Sequence, residues 1–323
     1  MNLRKLVAAA GCLFAAMLPP GAAGQTYPTR PVSLVVPYAP GGITDVVARM
    51  VAGPLARELG QPVVVENVTG AGGNVGSQKV AAAAPDGHTL LITQTSTVTN
   101  PLLDKAARFH PSESFTHVAF VGSLPLWLLV RADSRWPDVA ALVKEAQAAP
   151  GKLNYGSGGS GSASHLGVAW FERNQGLKLV HVPYRGMSTA LNDLLAGNVD
   201  FALTPVAGSE SLVQSGRLRP LAITSARRIK GFPGTPTFAE AGYASMDVSG
   251  WIGISGPAKL PPAIAARLHG AVAKVLADPQ LSAALQDRTL VPHPRTPSEF
   301  AQYVRSETAR WEQLITSAGI RAE

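Results

Sequence analysis

The strongest constraint on this fold is an alternation in the first third of the chain. The apolar run Val32-Ser33-Leu34-Val35-Val36 is followed by the turn Pro37-Tyr38-Ala39-Pro40-Gly41-Gly42-Ile43-Thr44-Asp45. Behind the turn, Val46, Val47, Met50, Val51 and Leu55 recur at helical spacing, and Gly60 stops the helix. Val63-Val64-Val65 reads as a second strand, and Gly70-Ala71-Gly72-Gly73 opens a second helix running to Ala84. A third strand, 89–93, follows the turn Pro85-Asp86-Gly87. Strand, glycine turn, helix and strand is the βαβ rhythm of a parallel sheet covered by helices, so an α/β fold is expected.

The rhythm breaks once. Residues 115–121 and 126–130 read as strands with only Gly122-Ser123-Leu124-Pro125 between them. A second alternating set follows: helices 137–149, 162–174, 187–196 and 208–215, and strands 153–155, 178–182, 199–203 and 218–223. After a long Gly/Pro loop, Trp251-Ile252-Gly253-Ile254 is another strand. Two helices close the chain. The first carries Ile264, Leu268, Val272 and Val275; the second opens with a capping box from Thr296 to Glu299 and turns Phe300, Val304, Trp311 and Ile315 inward. The expected division is a lobe of 27–124 plus 250–323, interrupted by a second lobe of 125–249. Two crossings between lobes make a hinge, and ligands favour such interdomain clefts.

The N-terminus has its own logic. Asn2-Leu3-Arg4-Lys5 is a basic start, 6–18 are apolar, Pro19-Pro20-Gly21 break the run, and Ala22-Ala23-Gly24 are small. That is the pattern of a secretory signal peptide, 1–24, cut near Gly24. Cys12, the only cysteine, lies inside it, so the mature chain is expected to hold no disulfide and no cysteine metal site. The formal net charge is +7, with the positive residues scattered apart from Arg227-Arg228-Ile229-Lys230. No basic stripe interleaves with aromatics, which argues against nucleic acid.

Two glycine turns can carry function. Glycines at 41 and 42, between strand and helix, allow close approach to a ligand, and free N–H groups at a helix start attract anions. They could equally serve only a tight turn. The second turn, Gly156-Ser157-Gly158-Gly159-Ser160-Gly161-Ser162-Ala163-Ser164-His165, formally contains G-x-G-x-x-G. A dinucleotide site needs an acid about 20 residues on, and Val180-His181-Val182-Pro183-Tyr184-Arg185 offers none. Its serine hydroxyls suit a carboxylate better, or form a flexible loop. No G-x-S-x-G, H-E-x-x-H or phosphate-loop motif occurs, so neither an enzyme, a cofactor nor a metal site is expected. Asp45 reads as a ligand to an amine or as a helix cap, and Arg185 as a carboxylate partner or a surface charge. Gln94, Thr95 and Ser96, and Thr204-Pro205, follow strands at the sheet edges where open α/β folds bind ligands.

Seven segments in order, 26–49, 61–91, 153–167, 182–201, 218–228, 236–243 and 251–257, resemble the Bug family, the substrate-binding receptors of tripartite tricarboxylate transporters. Where members commonly carry Arg-Pro before the second glycine run, this chain has Val68-Thr69. The resemblance implies a two-lobed periplasmic-binding-protein fold of type II that closes on its ligand. It implies that Tyr38, Ala39, Gly41 and Gly42 in one lobe and Ser157, Gly161 and Ser162 in the other supply donors to a ligand carboxylate, partly through water. The implied ligand is a small organic carboxylate, and the implied partner is the membrane permease or, alternatively, a membrane sensor. The chain is expected to act as a monomer.

Overall fold

The computed structural model describes residues 27–159, 162–184, 186–246 and 248–320. The expected signal segment with Cys12, and the candidates Gly161 and Arg185, lie outside the described residues. The strands are β1 (Val32–Val36), β2 (Val63–Asn67), β3 (Thr89–Gln94), β4 (Phe115–Leu124), β5 (Leu126–Arg131), β6 (Asn154–Ser157), β7 (Val180–Pro183), β8 (Phe201–Pro205), β9 (Leu218–Ile223), β10 (Gly250–Pro257) and β11 (Val291–Pro292). The helices are α1 (Ile43–Leu59), α2 (Asn74–Ala81), α3 (Thr95–Leu103), α4 (Val139–Ala148), α5 (Ala163–Gln175), α6 (Met187–Ala196), α7 (Glu210–Gln214), α8 (Pro262–Leu276), α9 (Pro279–Gln286) and α10 (Pro297–Ala318).

Two sheets result. One runs β11-β4-β10-β3-β1-β2 and the other β7-β6-β8-β5-β9. In the first, Val32, Leu34, Val35 and Val36 of β1 are fully buried, which is why that strand reads as an unbroken apolar run. Val47, Val51 and Leu55 of α1 pack into the same core, and Gly60 closes the helix in the left-handed region at φ 72°.

The sheets are mixed, not mostly parallel as the alternation alone implies. β1 pairs in parallel with β2 and β3, and β6 with β7 and β8. β10, however, runs antiparallel between β3 and β4, and β5 antiparallel between β8 and β9. The cause lies in the crossings. β4 ends at Leu124 and β5 begins at Leu126, so the chain leaves one sheet and enters the other across Pro125 alone. The return strand must run back beside the outgoing one, and it does, with Gly250 opposite Leu124 and Trp251 opposite Ser123.

Three further elements depart from sequence expectation. α3 occupies a Thr-rich segment that contains Pro101, a composition with poor intrinsic helix preference. Packing overrides it: Val98 sits at 0% exposure in a cluster shared with Phe300 and Val304 of α10. α9, started by the Asp278 carboxylate accepting the Gln280 and Leu281 N–H groups, and the two-residue β11 are short and were not expected.

That shared cluster reaches the second sheet as well, through Leu128, Tyr155, Phe171 and Phe201. α10 therefore touches both halves. The Arg173 guanidinium on α5 donates to Ser317 Oγ at 2.6 Å, and the Trp170 and Trp311 rings meet edge to face. No helix among the described residues is long and apolar enough to cross a membrane.

Candidate ligand cleft

A cavity of about 790 Å3 lies where the chain passes between the two sheets, lined at the crossings by Leu124, Pro125, Leu126, Gly250 and Trp251. The first residue of each of four helices also lines it: Ile43 of α1, Asn74 of α2, Thr95 of α3 and Ala163 of α5. Each helix start carries N–H groups without intrahelical partners and the positive end of the helix dipole. Among the described lining residues only Asp104 is ionisable, and it accepts from Asn74 Nδ2 at 3.0 Å and from the Ala106 N–H at 2.9 Å. No lysine or arginine is among the described lining residues. An anion there would be met by backbone dipoles and hydroxyls.

The wall on the side of the first sheet is a hydrogen-bonded chain. Thr44 Oγ1 donates to Gln94 Oε1 at 2.7 Å, Gln94 Nε2 donates to Ser96 Oγ at 3.0 Å, and Ser96 Oγ is bonded to the Tyr38 hydroxyl. Tyr38 also reaches the Gly72 carbonyl at 3.2 Å, and Asn100 Nδ2 donates to the same carbonyl at 2.6 Å. Burial raises the Tyr38 phenol above its ordinary pKa, so it remains a hydroxyl donor. The network ties three separate loops together before any ligand arrives.

The first glycine turn leads into α1, whose N-cap is Gly42 and which has no side-chain cap. Gly41 needs its φ of 87°, a conformation that side chains rarely adopt. Asp45 is 3% exposed and turned inward. It accepts from the Gly41 N–H at 2.9 Å, Arg49 Nε at 3.0 Å and Asn67 Nδ2 at 2.9 Å. The Arg49 contact chiefly, aided by the Gly41 and Asn67 donors, pulls its pKa down to about 2. Asp45 shapes the turn from behind and does not line the cavity.

In the second glycine turn, the described serines Ser157, Ser162 and Ser164 bond to neighbouring protein groups. Ser157 is fully buried; its Oγ lies 2.6 Å from His181 Nε2 and accepts the Gly159 N–H at 3.1 Å. Ser164 Oγ accepts the Gly158 N–H at 3.0 Å, and Ser162 Oγ, bonded to Ser164, caps α5 by accepting the His165 N–H at 3.3 Å. The His165 and His181 rings stack at 3.9 Å with 8° between their planes. A serine beside an imidazole resembles the start of a nucleophilic site. Here the hydroxyl has no exposed surface, so no substrate atom reaches it.

Of the residues expected from sequence, Gln94, Ser96 and Ser162 line the cavity. Tyr38 borders it through Ser96, and Ala39, Gly41 and Gly42 are exposed on the turn that delivers Ile43. Ser157 and Thr204 are buried beneath the lining, Thr204 at 2% exposure with Pro205 beside it facing the space. Thr95, expected with Gln94 and Ser96 at the strand end, lines the cavity too; sequence reasoning missed Asn74, Asn100 and Trp251. The Thr95 hydroxyl and Trp251 Nε1 are buried and find no hydrogen-bond partner among the described residues, and both residues line the cavity. The position of Thr95 directly after a strand marked it in the sequence; nothing local marked Trp251.

Comparison with known proteins agrees with this arrangement. Residues 47–320 match the family model described as the tripartite tricarboxylate transporter family receptor. A protein encoded in the tcbD–tcbE intergenic region of Pseudomonas sp. strain P51 is 37% identical, covering 92% of this chain and 89% of its own length. Protein BugT of Bordetella pertussis is 33% identical across 99% of both. Among solved structures, a TctC solute-binding protein from Polaromonas superposes with a TM-score of 0.81 at 31% identity, covering 90% of this chain and all of its own. A Rhodopseudomonas palustris protein solved with bound malate gives 0.72 at 33% identity over 90% of this chain, and an R. palustris protein solved with adipate gives 0.76 at 33% over 92%; each is covered in full. With matches along nearly its whole length, the chain belongs to the tripartite tricarboxylate transporter receptor family.

Proposed function

We propose that this protein is an exported receptor that captures a small organic carboxylate between two lobes and performs no chemistry on it. The observation that carries the reading is that the first residues of four helices meet at one cavity, with no cationic side chain among its described lining residues. Such ends bind carboxylates through N–H groups and dipole, at about 1.5–3 kcal/mol for each charge-assisted bond. The neighbours solved with adipate and malate support the same ligand class. The lobes in this reading are 27–124 with 250–323, and 125–249, turning about the crossings at Pro125 and Gly250 with α10 as the pivot that touches both. The cleavable segment 1–24 delivers the chain across the membrane, and the closed monomer is what a permease recognises, a population shift driven by differential affinity.

The test is calorimetry and thermal unfolding of the mature chain with adipate, malate, a tricarboxylate and their amides. A bound carboxylate at 100 times its Kd stabilises by about 2.7 kcal/mol, and its amide does not. No stabilisation by any carboxylate sinks the ligand class, and turnover of a bound carboxylate sinks the claim of no chemistry.

A further inference from the structure

A second cavity, of about 1160 Å3, is absorbed by nothing in the receptor reading. It too spans both sheets: the loop 225–232 after β9 forms one side, and residues from 282 in α9 to 295 just before α10 form the other. Ser123 and Ser249 line it, whereas the next residues in the chain, Leu124 and Gly250, line the first cavity. Successive side chains of a strand point to opposite faces, so the crossing segments are a partition with one cavity on each side. Thr289 borders both. Turning the two halves about this partition narrows one cavity as it widens the other.

The chemistry of the second cavity is opposite to that of the first. Arg227, Arg228, Lys230 and Arg295 line it. Arg228 is paired with Glu240 at 2.9 Å, but Arg227, Lys230 and Arg295 make no ion pair among the described residues. Two carboxylates stand against them: Glu210, which accepts the Gly208 N–H at 2.7 Å, and Asp287. Glu299, whose pKa the nearby Arg295 helps to lower, is held by Thr296. The Arg295 guanidinium stacks 3.9 Å from the Tyr303 ring centre and 4.8 Å from that of Phe120. Stacking fixes its plane and leaves its N–H edge for an acceptor, the geometry by which arginine takes an oxyanion.

We propose that this cavity is a second anion site, for a multivalent oxyanion bridging Arg227 and Lys230 on one half to Arg295 on the other, and that its occupation opposes closure of the first cavity. The two cavities share only Thr289 among their described lining residues and none of the cations that hold the second anion, so the antagonism is allosteric and reciprocal. The coupling rests on the carboxylate reading of the first cavity; the anion site does not.

The test titrates the mature protein with inorganic pyrophosphate at fixed ionic strength. Binding is expected, weakened about tenfold by Lys230→Gln and by Arg295→Gln, with unfolding curves confirming that both variants are folded. A pyrophosphate concentration that just saturates the wild type lowers adipate affinity at least about fivefold there and clearly less in Lys230→Gln, whose second site it fills only in part. By small-angle scattering, pyrophosphate alone shifts the protein toward its more extended form, a readout independent of adipate. Absence of pyrophosphate binding at millimolar concentration, equal binding to both variants, or contraction on binding each overturns the proposal. Failure of adipate alone counts only against the choice of ligand in the first cavity.

Discussion

The two glycine turns occupy equivalent places, each between a strand and a helix facing the cleft, yet they are built oppositely. The turn before α1 leaves its helix start without a side-chain cap and supports it from behind through Asp45. The turn before α5 is closed by its own serines, with Ser162 capping the helix and Ser157 and Ser164 taking the Gly159 and Gly158 N–H groups. The described serines thus take up some of the N–H groups before and at the start of α5, whereas the start of α1 has no side-chain cap to compete with a ligand. A motif rich in hydroxyls is not by that fact a binding motif, because hydroxyls satisfy their own loop first.

Breaking this asymmetry gives the largest expected effect. Gly42 has extended backbone and room for a Cβ, whose nearest contact is a carbonyl oxygen at 3.7 Å. Gly42→Asp supplies the missing cap. It is expected to raise stability by about 1 kcal/mol and to weaken carboxylate binding about a hundredfold, since the new carboxylate takes the anion's place. Calorimetry and denaturant melts read the two effects, and a variant that binds as well as wild type refutes the donor role of this helix start.

Asp45→Ala removes the rear support. A loss of about 2 kcal/mol in denaturant unfolding is expected, because the Gly41 N–H, Arg49 and Asn67 lose their shared acceptor. Acid approaches the same loss in the wild type. The folded Asp45 carboxyl titrates near 2, below its unfolded value, so its contribution is complete above about pH 4 and disappears as pH falls toward 2. Asp45→Asn should flatten that part of the stability curve. The smallest effect belongs to the self-contained turn: Ser162→Ala uncaps α5 and costs about 1 kcal/mol, while affinity changes by less than tenfold.

Much of this was legible in the chain. β1, α1 and Gly60 follow from an apolar run, a 3.6 period and a stop residue, each a local signal. The first turn could be read as an anion site or as a tight turn, and Asp45 could not be assigned, because its role depends on Asn67 arriving from β2. Strand direction was not legible either. Alternation implies parallel pairing only where consecutive strands are neighbours, and β10 lies between strands far earlier in the sequence. α3 was hidden because its helix forms against local preference, with α10 packed on it.

The position of β10 has a consequence for how the molecule is made. It lies between β3 and β4, at the middle of the first sheet, although the whole of 125–249 separates it from β4 in the chain. While the chain emerges from its N-terminus, the facing edges of β3 and β4 have no neighbour until the second sheet has been synthesised. Unpaired strand edges are templates for association with other chains. The first half must therefore wait, open at its centre, and a nascent chain halted before residue 250 should be a better client for a holdase chaperone than the finished protein.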